Sequence, residues 1–392
     1  MKPGADWDPL DPAALANPFA AHLRLRQECP VARSDRWGGF WTLTRYEDVI
    51  AAALDTDTFI SGEKTTIPDS TGPDRPPRPP LEVDRPEHTQ YRRLLAPYFS
   101  PERTRLLEPK IREIAIELLD AAIAERACDM VPAVAVPMPA LVLCALLGLP
   151  AEDWSVLKHW TTEVIEAGRA GDSERHEQAN DAMYAYVHSI VEGRRGAKRD
   201  PQWDITTGLL ELVVDGQRLD DDQITGVVRL LLQAGHNTTT NGLGSAFRYI
   251  GGHPEAQARL REDPALIPTA VDELLRAFSP AQFLARTVKR EVDVRGQTLR
   301  PGDKVGLSWT SANRDPGAFP DPERVDLARA PNRHVAFGYG IHRCLGAHLA
   351  RTEMCVAVEE LLARTTRFEL AGPAPEIGWP HIGPRSVPVR FD

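Results

Sequence analysis

One stretch constrains this chain more than any other: Phe337-Gly338-Tyr339-Gly340-Ile341-His342-Arg343-Cys344-Leu345-Gly346, followed at once by apolar residues at helical spacing from Ala347 to Arg364. Glycines here permit positive φ and let the backbone approach a flat ligand with no Cβ in the way. The helix start behind them offers unpaired N–H groups and a positive partial charge, which favour thiolate over thiol at Cys344. A thiolate so placed is a ligand for a soft metal and a strong electron donor. A glycine-rich turn holding an incidental cysteine, and a cysteine nucleophile at a helix start, are the other uses of the same pattern.

Helical periodicity covers most of the remaining chain. Glu102 to Ala124, Pro150 to Gly168, Ser173 to Gly193, Asp222 to Ile250, Pro254 to Leu260 and Pro264 to Phe278 all carry apolar residues three and four apart. Two regions read as β: Gly39 to Thr44, and Leu284 to Leu307 with Arg295-Gly296 as a turn. The expectation is a mainly α fold with a small β region, in one domain over residues 1–392. Ile67 to Pro86, with seven prolines, reads as a long loop.

Val131 to Pro150 carries no charge, yet Pro132, Pro137, Pro139 and Pro150 would repeatedly break a membrane helix, so it reads as buried core. Met1 to Leu10 has no apolar run like that of a secretion signal. A cytoplasmic protein with no membrane anchor is expected. The net charge of -10 argues against whole-surface affinity for nucleic acid or anionic lipid. Five cysteines, at 29, 128, 144, 344 and 355, form no C-x-x-C pair. That excludes the usual zinc and iron–sulfur spacings and fits free thiols in a reducing compartment.

The Asp222–Ile250 segment reads as one helix capped at Asp222 and interrupted by Ala234-Gly235-His236-Asn237-Thr238-Thr239-Thr240. Glycine and consecutive threonines are poor mid-helix residues, so a polar notch in an apolar helix suggests a functional site. A helix that ends there, with Gly235 or Asn237 as its C-cap, is the structural alternative.

The cysteine loop resembles the haem-binding loop of the cytochrome P-450 family, F-x-x-G-x-H/R-x-C-x-G, through Phe337, Gly340, His342, Cys344 and Gly346. The resemblance runs from about Trp7 to the C-terminus. It implies the cytochrome P-450 fold, haem b as cofactor with Cys344 as axial ligand to the iron, and the family's E-x-x-R pair at Glu273 and Arg276, with a structural role. It sets Phe337, Gly338, Gly340 and Gly346 against the haem on the cysteine side and Ala234 and Gly235 against the other face. His88, Arg92, Arg286 and His342 then match the family's propionate donors. The notch resembles the oxygen-binding groove A-G-x-D/E-T, which assigns dioxygen and proton handling to Thr238 and Asn237. The acidic position is Asn237 here, and an amide cannot donate a proton at neutral pH. Water chains, or His236 if it faces inward, are the remaining proton routes.

The implied activity is monooxygenation, hydroxylation or epoxidation, of a small apolar organic substrate, in the manner of secondary metabolism. Peroxide use, nitrogen oxide reduction and haem sensing are the rival readings. Electrons would come from a ferredoxin and its reductase. Arg329, Arg333, Arg343 and Arg351, with Arg92, Arg93, Arg103, Arg105, Lys110 and Arg112, form two basic stretches expected to steer that acidic donor. Val228, Leu231, Leu232, Ala234, Pro280 to Phe283, His381 to Gly383 and the proline-rich loop are expected to line the substrate chamber.

Overall fold

The computed structural model describes residues 6–68, 77–214 and 216–392. Helices dominate. Pro101–Ala124, Trp154–Ala170, Ser173–Gly196, Pro254–Glu262, Ile267–Phe278 and Ala347–Arg364 follow the periodicity read above, to within a turn at each end. Pro101–Ala124 and Ala347–Arg364 pack against each other at the centre of the main apolar core. The uncharged stretch is buried core: a π-turn at Val131–Ala135 leads into the helix Pro137–Leu147. Its prolines are tolerated because Pro137 and Pro139 fall in the first turn, where N–H groups have no intrahelical partner. No helix among the described residues is long and apolar enough to cross a membrane.

The β region is a five-stranded sheet in the order Val31–Ser34, Phe40–Leu43, Lys304–Ser308, Phe283–Val288, Phe59–Ile60. Pairing is antiparallel except between Phe40–Leu43 and Lys304–Ser308, where Val305 lies beside Trp41. Arg286 enters the register opposite Val305 on the other side, which fixes its place in the buried middle of the sheet. Arg295 and Gly296 both take positive φ and turn the chain between Val292–Val294 and Gln297–Leu299.

The notched segment differs from its sequence reading. It is two helices, Asp221–Ala234 and Asn237–Gly252, separated by Gly235 and His236. The N-cap is Asp220, not Asp222. Asp220 Oδ1 accepts from the Gln223 N–H at 2.8 Å and Gln223 Oε1 accepts from the Asp220 N–H at 3.0 Å, a reciprocal box for which Asp222 lacks the partner.

Candidate functional site

A cavity of about 400 Å³ opens between the Cys344 loop and the two notched helices. The loop closes on itself through Gly338 N–H to Val335 O at 2.9 Å and Cys344 N–H to Phe337 O at 2.7 Å. Gly338 and Gly340 take φ of 70° and 72°, and a Cβ on Gly340 would stand 2.6 Å from the Ala53 carbonyl oxygen. A Cβ on Gly346 would meet nothing within 4 Å, and Phe337, Gly338, Cys344 and Gly346 line the cavity; Gly340 itself does not.

Cys344 is the exposed cysteine of the five, and its exposure is into this cavity. The Gly346 N–H points at its sulfur, as the helix start requires. Thiolate is nonetheless not favoured in the protein alone: the sulfur is open to the cavity but lies deep within the protein, and that desolvation pushes the Cys344 thiol above its usual range, with the Gly346 N–H, Arg92 and Arg343 pulling it only part of the way back. A bound metal cation is what would hold it ionised.

His88, Arg92, Arg286 and His342 are brought together from three segments: the helix Glu87–Leu95, which carries both His88 and Arg92, the strand Phe283–Val288 and the Cys344 loop. The two imidazole rings lie 4.4 Å apart, and Nε2 of each is buried without a partner. Arg286 is fully buried and, among the described residues, donates only to the neighbouring Ala285 carbonyl at 2.7 Å. Burial, with Arg286 and His88 alongside, depresses His342 to about 2, and burial beside Arg92 and Arg85 depresses His88 to about 4. Arg92, Arg286 and His342 line the cavity, with His88 against His342, and such a cluster of cations and orphaned imidazoles, in part fully buried, is built for an anionic group. The two propionates of a haem would fit that demand.

In the notch, Thr238 Oγ1 donates to the Ala234 carbonyl at 3.3 Å, a bond one turn back that occupies the break. Ala234, Gly235, Asn237 and Thr238 line the cavity. The hydrogen that Gly235 carries in place of a Cβ points at Leu143, where a methyl would come within 3.1 Å of Cδ1. His236 faces away from the cavity. Its Nδ1 donates to the Leu232 carbonyl at 3.1 Å, which leaves Nε2 to accept from the Thr161 hydroxyl at 2.7 Å. Burial depresses it to about 3, so the His236 proton route is withdrawn. Asn237 Oδ1 instead accepts from Lys158 Nζ at 2.5 Å, and Asn237 Nδ2 is buried and unpartnered.

Behind the loop, Glu273 and Arg276 are fully buried and doubly hydrogen-bonded at 2.7 and 2.8 Å. Arg276 also donates to the Asn313, Pro322 and Arg324 carbonyls. Glu273 accepts further from Arg329 Nε at 3.1 and 3.0 Å, Asn332 Nδ2 at 3.2 Å and Asp326 N–H at 2.9 Å. Arg329 is therefore part of this network and not of a docking face. Arg351 is bound to Asp272 at 2.6 Å, and Arg112 is spent on Glu108, Glu359 and Glu360. Arg103 lies over the Trp203 ring. Of the two basic stretches, Arg93, Arg105, Arg333 and Arg343 remain exposed without an ion pair among the described residues.

The chamber walls differ in detail from expectation. Leu231, Ala234, Pro280, Ala281, Phe283 and His381 line the cavity. Val228, Leu232, Gln282, Ile382 and Gly383 do not, and Val164 and Ile165 of the helix Trp154–Ala170 do. Of the proline-rich loop, residues 69–76 lie outside the described residues. Its described part is tied down by Arg78, which donates to Glu82 at 2.6 Å and to Gln233 of the notched helix at 3.0 Å. Lys158 and Glu353 escaped sequence reasoning. Lys158 is one polar residue among several on an ordinary helix, and Glu353 is one of three acids, with Glu359 and Glu360, in the helix Ala347–Arg364, so neither stood out.

A family model described as cytochrome P-450 matches residues 169–373. The chain is 35% identical over 357 residues to the mycinamicin IV hydroxylase/epoxidase of Micromonospora griseorubida, covering 89% of each chain. It is 36% identical over 361 residues to the vitamin D(3) 25-hydroxylase of Pseudonocardia autotrophica, covering 91% of this chain and 88% of that one. Among solved structures, the bacillaene polyketide synthase cytochrome P-450 PksS of Bacillus subtilis 168 matches with a TM-score of 0.89 and 32% identity, covering 98% of this chain and 100% of that one. Sequence likeness of that extent, on the fold and around the cysteine-lined cavity described above, shows that the chain belongs to the cytochrome P-450 family: it is a monooxygenase of organic substrates whose cofactor is haem and whose electrons come from a separate redox partner.

Proposed function

We propose that Cys344 would ligate the iron of haem b, that His88, Arg92, Arg286 and His342 would hold its propionates, and that Ala234 and Gly235 would pack against it. The observation that carries this is the exposed cysteine opening into the same cavity as Thr238, with the buried cation and imidazole cluster beside it. Bound there, haem would supply the dioxygen chemistry that inserts one oxygen atom into a C–H or C=C bond, which a thiolate ligand favours by donating electron density. Phe337, Gly338, Gly340 and Gly346 shape the loop so that the Cys344 sulfur, with its Gly346 N–H, faces the cavity. The Glu273 and Arg276 pair fixes that loop from behind. Thr238 presents its hydroxyl to dioxygen and passes protons, and Asn237 holds water beside it.

Leu143, Val164, Leu231 and Phe283 give the chamber apolar walls, which support an apolar organic substrate with few polar contacts. Relatives named for mycinamicin IV and for bacillaene synthesis support a place in secondary metabolism. The whole chain, 1–392, acts as one haem domain in the cytoplasm. A ferredoxin, reduced by its reductase, docks on the face bearing Arg333 and Arg343.

A panel of macrolides, steroids and branched lipids, titrated against the haem-loaded protein, tests this. At least one should shift the iron spin state and yield an oxygenated product when dioxygen, ferredoxin and reductase are supplied. Oxygenated product with peroxide alone, and none with the reduced donor, would replace monooxygenation by a peroxide-dependent activity.

A further inference from the structure

We propose that Lys158 is the proton source for the oxygen-handling notch, working through Asn237 in place of the carboxylate that the family pattern puts at position 237. This rests on the reading of Thr238 given above. Lys158 Nζ lies 2.5 Å from Asn237 Oδ1, and Asn237 precedes Thr238 on the wall of the cavity. The lysine reaches Asn237 from the helix Trp154–Ala170; Lys158 is half-buried and its neighbours Ser155 and His159 are exposed, so that helix lies at the protein surface. Among the described residues Asn237 Nδ2 is buried without a partner on a side chain that lines the cavity, a donor able to hold a water.

The other titratable groups around the notch are less suited. His236 is buried with both ring nitrogens engaged. His381 lines the cavity but burial holds it near 4, and it resists the charged form. Glu353 lines the cavity from the helix Ala347–Arg364, but among the described residues no hydrogen bond joins it to Asn237 or Thr238 as one joins Lys158 to Asn237. Lys158 interacts electrostatically with His236 and His381, and with Glu166 on its own helix. Burial brings Lys158 down to about 8 against the pull of Glu166, close enough to neutrality to give up a proton and regain one. The step is a proton transfer alone. The N–H bond of the Lys158 ammonium breaks, a water held by Asn237 takes that proton and passes one to Thr238 Oγ1, Thr238 releases its own hydroxyl hydrogen to reduced dioxygen in the cavity, and the neutral amine is reprotonated from bulk solvent. Electrons enter separately from the redox partner.

Arginine at 158 keeps the charge and the hydrogen bond to Asn237 but does not release a proton at any working pH, so it separates relay from positioning. We expect Lys158→Gln and Lys158→Arg alike to lower product formed per electron by about tenfold, below the usual range for a lost general acid because water replaces it in part. Both should raise the solvent deuterium effect and remove the alkaline limb of the pH profile. In an Asn237→Asp background, where a carboxylate again adjoins Thr238, the cost of Lys158→Gln should fall to less than about twofold. Independently of turnover, the methylated-lysine NMR signal that Lys158→Arg abolishes should titrate more than about one pH unit below the ordinary lysine value near 10.4, measured in the diamagnetic carbon monoxide complex. Wild-type coupling in Lys158→Arg, or an ordinary titration of that signal, overturns the proposal. Thr238→Ala run in parallel identifies which reading fails: if it too leaves product per electron unchanged, the assignment of the notch falls, whereas if it uncouples and the Lys158 variants do not, only the relay falls.

Discussion

Replacing Arg329 by glutamine separates two uses of the same charge, a docking arginine and a core arginine. Arg329 places Nε between both oxygens of Glu273, at 3.1 and 3.0 Å, and donates Nη1 to the Pro320 carbonyl at 2.9 Å and Nη2 to the Arg324 carbonyl at 3.2 Å. Its side chain is 11% exposed and that of Glu273 is 0% exposed, so solvent screening takes little away. Glu273 keeps Arg276, and the loss is therefore a partial one. A charged hydrogen bond is worth about 1.5–3 kcal/mol and breaking a buried pair costs about 3–5 kcal/mol, which sets the expectation at about 3 kcal/mol. Urea unfolding of the haem-loaded protein, followed by both the haem band and helical signal, reads this directly. Arg343→Gln on the exposed loop should cost less than about 0.5 kcal/mol. The order reverses for electron transfer: Arg343→Gln should weaken the salt dependence of reduction by ferredoxin, and Arg329→Gln should leave it unchanged. Arg329→Gln as stable as the wild type, or with altered salt dependence, would refute the placement of this side chain on Glu273.

Gly340→Ala should lower haem retention and stability together, since the new methyl meets the Ala53 carbonyl at 2.6 Å on a backbone with φ of 72°; dialysis against apomyoglobin measures the haem off-rate, and an unchanged rate would contradict the strain. Glu353→Gln should change the pH dependence of stability. Burial raises Glu353 to about 8, so between its unfolded value and 8 the folded state holds a proton that the unfolded state has released. Wild-type stability from this group is fullest at acid pH and falls as pH rises through that window by on the order of 1.4 kcal/mol per unit. The glutamine variant should therefore gain on the wild type from pH 5 to pH 8 in denaturant unfolding, and parallel curves would show that Glu353 is ionised in the fold. Removing His342 as His342→Ala, which takes away one orphaned donor of the cavity cluster, should weaken haem retention without loss of helical signal, measured by the same heme transfer assay.

The long helices were legible because an apolar stripe repeats over many turns, and Ala347–Arg364 matches its periodicity residue for residue. The break at Gly235 was visible as poor helix formers, but apolar spacing on both sides masked the fact that two helices meet there. Paired residues far apart in sequence were not legible. Arg329 and Arg112 look alike as arginines in a row, and only the fold shows that carboxylates from other helices claim them. Lys158 carried no signal at all, because its meaning is a contact across 79 positions with Asn237. The departure at Asn237 was readable in the sequence. What stands behind it was not.

The central claim is that Cys344 holds the haem iron as thiolate. The direct measurement is the absorption spectrum of the purified protein, reduced and exposed to carbon monoxide, for the native chain and for Cys344→Ser. The account predicts a strongly red-shifted Soret band that the serine variant lacks, although Cys29, Cys128, Cys144 and Cys355 are all still present. The same red-shifted band in Cys344→Ser, or no haem band in native protein made with ample haem, would contradict it.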